Sequence, residues 1–429
     1  MNIKINNIAK INNADINIKG ITVIAGENNT GKSTIGKALF AFFDALYNVE
    51  KKIINDKLSA IQRRIFNNLM HTKVSYKTIL GLRASDFVLD EVDINTLYTR
   101  LLHIDTNSRD FELELEEILK QYIKVEYQEG MDSNDWNILK KNIIDIINVD
   151  YLDSVNQIIT SSYNHEFNKQ INNIYNDLDG KIDITINKKD IKLVVKSNKV
   201  FLEEQPAINI MEDIVYIDDP FVLDEINGKM RRMSELHLDY SAKHRKNLVY
   251  QLKNENIENS VEQVLVERKL ENIWNTLNAV CPGKFEIGRS YCSYIVDGKE
   301  LNVKNLSAGL KTFTLFKQLI LNGTISQNGI IILDEPEIHL HPEWQLVLAK
   351  LIVLLQLEFD LHILLTTHSP YFLNAIEVFS VIYDVADKCN YYLSETNNRE
   401  VKFINASRNI DKIYAKLAKP LQDLENMRY

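Results

Sequence analysis

The residues best suited to chemistry lie at 26–33, Gly26-Glu27-Asn28-Asn29-Thr30-Gly31-Lys32-Ser33, with Thr34 after them. The spacing fits G-x-x-x-x-G-K-[ST], a loop that cradles a phosphate. In such a loop unpaired backbone N–H groups at a helix start point at the anion, and the helix dipole adds to them. The glycines permit close approach and unusual dihedral angles. Lys32 is then expected at the β- and γ-phosphates of a nucleotide, and the Ser33 hydroxyl on Mg²⁺. A second pair, Asp334-Glu335, ends the apolar run Ile330–Leu333. There Asp334 is expected to hold Mg²⁺, directly or through water, while Glu335 orients and deprotonates an attacking water. His368 follows Leu361–Leu365 and Thr366-Thr367, one crossover further on. It can hydrogen-bond a γ-phosphate or the water. The fourth piece is Leu306-Ser307-Ala308-Gly309-Leu310-Lys311. Its plain reading is a helix capped by Ser307. Its functional reading is a second anion-binding helix N-terminus.

These groups work only if the elements around them bring them together. Ile21–Ala25 is a short β-branched run that reads as a buried strand, and Ile35, Ala38, Leu39, Phe42 and Phe43 recur at helical spacing after the loop. A Gly/Asn turn could also join a strand to a helix, but both flanks fit the phosphate loop. Ile330–Leu333 is continuous enough for a strand covered on both faces. Its carboxyl end is the edge where parallel α/β sheets bind ligands. Residues 1–25 alternate as antiparallel strands, and more strands are expected at 181–186, 191–195 and 214–217. A hairpin is expected over 285–303, then an α/β alternation from 306 to about 385. Residues 51–180 read as a helical insertion, with Trp136, Leu139, Ile143 and Ile147 on one face and Phe167, Ile171, Ile174 and Leu178 on another. Residues 229–276 form a further helical segment. The fold class is α/β: a discontinuous head, residues 1–50 and 181–429, carrying an antiparallel β subdomain and the insertion.

The 429 residues carry 50 basic and 59 acidic side chains, a net charge of −9, so no bulk attraction to nucleic acid is implied. Three cysteines without a C-x-x-C pair fit reduced thiols in the cytoplasm. No signal-peptide h-region opens the chain, and Lys350, Glu358 and Asp360 interrupt its longest apolar stretch, so no membrane span is expected.

The order of phosphate loop, Ser-x-Gly helix, Asp-Glu strand and histidine resembles the ATPase heads of the ABC type, including transporters, the SMC/Rad50/RecF group and the OLD-like ATPases. The resemblance implies two heads paired head-to-tail, with Ser307 and Gly309 of one protomer closing over the γ-phosphate of the other and Lys311 as a charge partner. Ala308 and Leu310 stand where transporters carry Gly and Gln, which sets the chain on the SMC/OLD side. Asp334-Glu335-Pro336-Glu337-Ile338-His339-Leu340-His341-Pro342 and the loop Gly26–Thr34 resemble the OLD-like, AAA15/AAA21-type bacterial ATPases of phage-defence systems such as Septu and PARIS. This second resemblance implies an ATP- and Mg²⁺-dependent ATPase, a homodimer or higher even oligomer. It would control a separate effector, a nuclease of HNH or TOPRIM type, under a phage-derived trigger. About sixty residues come after His368, too few for a TOPRIM nuclease in this chain. Alternatives within the same resemblance are a RecF/SMC-like DNA-repair ATPase and a nucleotide-bound sensor scaffold with little turnover. The family's glutamine-bearing loop is not evident in the sequence; Gln205, or the carboxylates Asp218-Asp219, occupy roughly that place.

Other features compete for attention. Asn187-Lys188-Lys189-Asp190 fits a guanine-reading pattern, but reads better as a hairpin turn. His339 and His341 suggest packing before zinc, because they lack a distant ligand pair. Arg231, Arg232, Lys243 and Arg245 lie in the densest basic segment. They form either a solvated helix face or a DNA- or RNA-backbone contact.

Overall fold

The computed structural model describes residues 1–71, 100–101, 111–123, 128, 131–204, 210, 213–226, 242–254, 270–288, 291–397 and 400–427. The alternation at the N-terminus becomes β1 (Asn2–Ile8) and β2 (Ile11–Asn17), antiparallel, with Ile3, Ile5, Ile8, Ile11 and Ile16 buried. Strand β3 (Ile21–Gly26) is buried along its whole length. Helix α1 (Lys32–Leu46) starts from Gly31, whose φ of 77° suits a residue without Cβ. Within one compact unit, Asn48–Val155, lie α2 (Val49–His71), α3 (Phe111–Tyr122), α4 (Ser133–Ile147) and the start of α5 (Tyr151–Glu166). Its core joins Leu58, Ile61 and Ile65 to Leu115, Ile118, Trp136, Leu139 and Ile143. An Asp132/Asp135 capping box opens α4.

The other unit comprises Met1–Tyr47 and Asn156–Tyr429. Here the expected helical face Phe167–Leu178 is not formed. Beyond Glu166 the chain turns, and Ile174 and Leu178 are 55% and 61% exposed. The reason is asparagine chemistry, in which side chains compete for the backbone. Asn173 and Asn176 accept the N–H groups of Tyr175 and Leu178, and Asn198 accepts those of Ile171 and Asn172. Strands β4 (Gly180–Ile186), β5 (Lys189–Lys196) and β6 (Lys199–Leu202) extend the antiparallel portion. Asn187 and Lys188, both at positive φ, form the β4–β5 turn, so the guanine-like pattern is a hairpin. Next come β7 (Ile214–Ile217), the short α6 (Val222–Glu225), α7 (Lys243–Lys253) and α8 (Glu271–Val280). A separate three-stranded sheet comes after them: β8 (Lys284–Ile287), β9 (Cys292–Val296) and β10 (Lys299–Asn302). The last part runs α9 (Ala308–Leu321), β11 (Ile330–Asp334), α10 (Pro342–Phe359), β12 (His362–Thr367), α11 (Pro370–Ile382), β13 (Cys389–Asn397), β14 (Glu400–Asn405) and α12 (Asp411–Asn426).

One sheet gathers eleven of these strands in the order β6-β5-β4-β1-β2-β14-β13-β3-β12-β11-β7. From β13 to β7 all neighbours are parallel, and the remainder is mostly antiparallel. The fold is therefore the mixed α/β class read from the sequence. Because β3, β12, β11 and β7 are parallel, their carboxyl ends share one edge. Register pairs Asp334 with Thr366 and Thr366 with Ile24, so the three residues form a row leading to the phosphate loop. Core residues such as Leu315, Phe316, Leu351, Leu354, Leu365 and Phe372 hold α9, α10 and α11 to this sheet. Among the described residues, no helix is long and apolar enough to cross a membrane.

Candidate active site

The loop is shaped first by what stands beside it. Strand β13 runs parallel to β3, opposing Ser394 to Gly26. A Cβ on Gly26 would fall 2.2 Å from Ser394 Oγ and 2.5 Å from its carbonyl oxygen, so no side chain fits there. Thr30 Oγ1 lies 2.6 Å from Ser394 Oγ and 2.8 Å from the Glu27 carbonyl oxygen, to which it donates. Asn29, at φ 66°, and Gly31 complete the turn into α1. Lys32 thereby lies beneath the loop, its amino group donating to the carbonyls of Gly26 (3.0 Å) and Glu27 (2.8 Å). Only 3% of the Lys32 side chain is exposed, and its Nζ lies 3.3 Å from Glu335 Oε1. Glu27, Asn28 and Asn29 are exposed; Lys416 pairs with Glu27, and Lys10 donates to Asn29.

The strand ends supply the acids. Ser33 Oγ donates to Asp334 Oδ1 at 3.0 Å, and Thr366 Oγ1 donates to the same oxygen. The second oxygen, Oδ2, accepts the Tyr216 hydroxyl at 3.2 Å. Glu335 sits in the left-handed region, φ 49°, with its N–H held 3.1 Å from both the carbonyl and the hydroxyl of Thr366. Its carboxylate lies between Lys32 and His368, whose Nδ1 is 3.4 Å from Oε2. Glu337, 2% exposed, accepts the Thr367 hydroxyl. Burial pushes its pKa up, and the Thr367 hydrogen bond opposes this only in part. The Asp-Glu turn is therefore tied, through Thr366 and Thr367, to the end of the strand that precedes His368. Ser33 and Asp334 present a hydroxyl and a carboxylate side by side at a phosphate loop, a hard-oxygen set that fits Mg²⁺, which takes few protein ligands.

The remaining expected residues are placed differently. Ser307 is exposed and caps α9, accepting the Leu310 N–H at 3.3 Å. Among the described residues, no hydrogen bond or ion pair joins it to residues 26–34, Asp334 or Glu335. Gly309 is buried, and a Cβ there would meet the Trp344 ring at 2.7 Å. Lys311 is 1% exposed, donates to Asp224 at 2.7 Å and stands 4.5 Å from the Phe221 ring centroid. Within the chain its amino group is engaged by Asp224 of α6 and the Phe221 ring rather than by an outward phosphate. Lys243 pairs with Asp44, and Arg245 donates to Asp218 and lies near Asp219 and Glu225. Both are engaged internally, while Arg231 and Arg232, like Gln205, lie outside the described residues. His339 packs edge-on against Phe221, and His341 caps α10.

Sequence reasoning missed Tyr216, Thr366, Thr367, Glu337 and Ser394. The two threonines carried a signal, a polar pair at the end of an apolar strand. Ser394 lies 368 residues beyond Gly26, and only the strand order brings it near. Behind Tyr216, His244 contacts Glu166 at 2.7 Å and Asp218 at 3.1 Å. Burial disfavours the imidazolium, but the hydrogen bonds and charges of Asp218 and Glu166 outweigh it and raise the His244 pKa to about 9.

A glycine-bracketed loop on a parallel strand, with Asp-Glu and His at the ends of the next two strands, defines a P-loop nucleotide-binding domain. The AAA_15 family model, an AAA ATPase domain, matches residues 1–373, and the chain belongs to that family. A retron Vc95 probable ATPase from Vibrio cholerae serotype O1 biovar El Tor is 32% identical over 93 residues. That match covers 19% of this chain and only 18% of the Vibrio protein. Among solved structures, an SMC head bound to the C-winged helix domain of ScpA aligns at TM-score 0.43 and 12% identity, over 96% of this chain and 98% of that one. The SMC head of Thermotoga maritima aligns at TM-score 0.36 and 10% identity, over 94% and 97%.

Proposed function

We propose that the chain is an ATP-hydrolysing switch that acts as a head-to-tail dimer and controls a separate effector in a bacterial defence system. The observation that carries the hydrolytic part is the position of Glu335. Its carboxylate bridges Lys32 and His368 beside the Ser33–Asp334 pair. Lys32, already inside the loop, exchanges carbonyl partners for phosphate oxygens. Glu335 takes the proton of the attacking water, and His368 holds the water or the γ-phosphate. Mg²⁺, when bound at Ser33 and Asp334, neutralises phosphate charge. The defence context is supported by the OLD-like motifs and the stretch shared with the retron-associated protein.

Steady-state phosphate release by the purified chain tests the reading. Glu335→Gln should lower turnover by ~10²-fold or more, the scale of a general base, while nucleotide still binds. Undiminished turnover would remove Glu335 from its role. Tight nucleotide retention without turnover in the unaltered protein would leave a sensor scaffold instead.

A further inference from the structure

We propose that Tyr216 is a positioning residue that orients Asp334 toward a divalent cation, and that His244 fixes the tyrosine ring for this purpose. The inference rests on the ATPase reading above. Tyr216 is 1% exposed on β7, where it pairs with Ile332 of β11. From there its hydroxyl reaches Asp334 Oδ2 at 3.2 Å, while Ser33 and Thr366 hold Oδ1. Both carboxylate oxygens are thus assigned, and rotation of the carboxylate breaks at least one contact. The hydroxyl also runs close to α1, since a Cβ on Gly36 would lie 3.3 Å from it.

The ring is held as firmly as its tip. His244 stacks on it with centroids 4.3 Å apart and planes 22° from parallel, and Phe40 packs against both rings. His244 cannot swing away. Glu166 accepts its backbone N–H (2.9 Å) through one carboxylate oxygen and contacts Nδ1 (2.7 Å) through the other. Nε2 lies 3.1 Å from Asp218 Oδ2. Such outer partners of a metal ligand fix its direction, and losing one costs roughly 10–100-fold in metal affinity.

Tyr216→Phe removes the hydroxyl and keeps the ring, the stack and the core volume. Mn²⁺ binding, followed by electron paramagnetic resonance with a slowly hydrolysed ATP analogue present, should weaken by ~10-fold or more in this variant. Binding of the same analogue in EDTA should stay within about twofold, a split that general loosening of the fold would not give. If the stack acts through the hydroxyl, His244→Ala should weaken Mn²⁺ binding in the wild-type background and add nothing in the Tyr216→Phe background. Equal Mn²⁺ affinity in wild type and Tyr216→Phe would overturn the proposal and leave the ATPase reading standing. Failure of the wild type to bind the Mn²⁺–nucleotide pair would overturn both.

Discussion

At the scale of single residues, Lys32 and Gly309 separate chemistry from packing. Lys32 is almost wholly buried, and its internal partners are two carbonyl oxygens and one carboxylate. A phosphate offers it better acceptors, so Lys32→Ala should weaken nucleotide binding by roughly 10–100-fold, the worth of ~1.5–3 kcal/mol for charged hydrogen bonds. Isothermal titration with ATP measures this, and affinity within twofold of wild type would exclude Lys32 from the phosphate. The glycine at 309 is required for a reason inside the same chain. An added methyl collides with Trp344, whose ring packs on Phe313 of α9. Gly309→Ala should therefore cost about 1–3 kcal/mol of stability, the usual toll of overpacking, before any partner is considered. Urea denaturation reads that cost, and Trp344→Leu in the same chain should recover part of it.

At the scale of elements, His244 of α7 meets Glu166 of α5 and Asp218, just past β7, behind the site, which makes stability depend on pH. The His244 pKa is about 9 in the fold against 6.5 unfolded. The folded state binds this proton more tightly, so the contribution is fully present below pH 6.5 and is lost as pH rises through about 9. It amounts to at most roughly 3 kcal/mol. The stability difference between wild type and His244→Gln should therefore shrink from pH 6.5 to pH 9.5 in denaturation midpoints, and a constant difference would exclude a charged His244. The sequence made some of this architecture readable and hid the rest. Strands β3, β11 and β12 were legible because a strand buried on both faces must be continuously apolar. The phosphate loop was legible because its glycines and lysine are local. Residues 167–179 misled because isoleucines at helical spacing outvoted asparagines that bond their own backbone. Tyr216, His244 and Glu166 could not be found, since their contact depends on strand order and on a helix fifty residues earlier than β7, with nothing local to mark it.

At the scale of the whole molecule, the remaining question is what covers the phosphate loop. Ser307 and the start of α9 are free of described bonds to the loop, yet α9 is a 14-residue helix whose first N–H groups favour an anion. Lys311, turned inward to Asp224, adds no charge of its own to that helix start and instead anchors the helix. If a second copy brings its α9 over a bound γ-phosphate, dimerisation requires ATP and ends with hydrolysis. Glu335→Gln loaded with Mg²⁺ and ATP should then run at twice the monomer mass by light scattering, while the nucleotide-free chain stays monomeric. Each chain carries a net charge of −9, so the pair forms against mutual repulsion, and moderate salt should favour it. Adding Ser307→Arg places a long side chain at the helix start. It should restore monomers while each monomer still binds ATP, because Lys32 and Asp334 are untouched. A dimer that survives this change, or one that forms equally well without nucleotide, would mean that the two copies meet through another surface and that α9 of one does not close the site of the other.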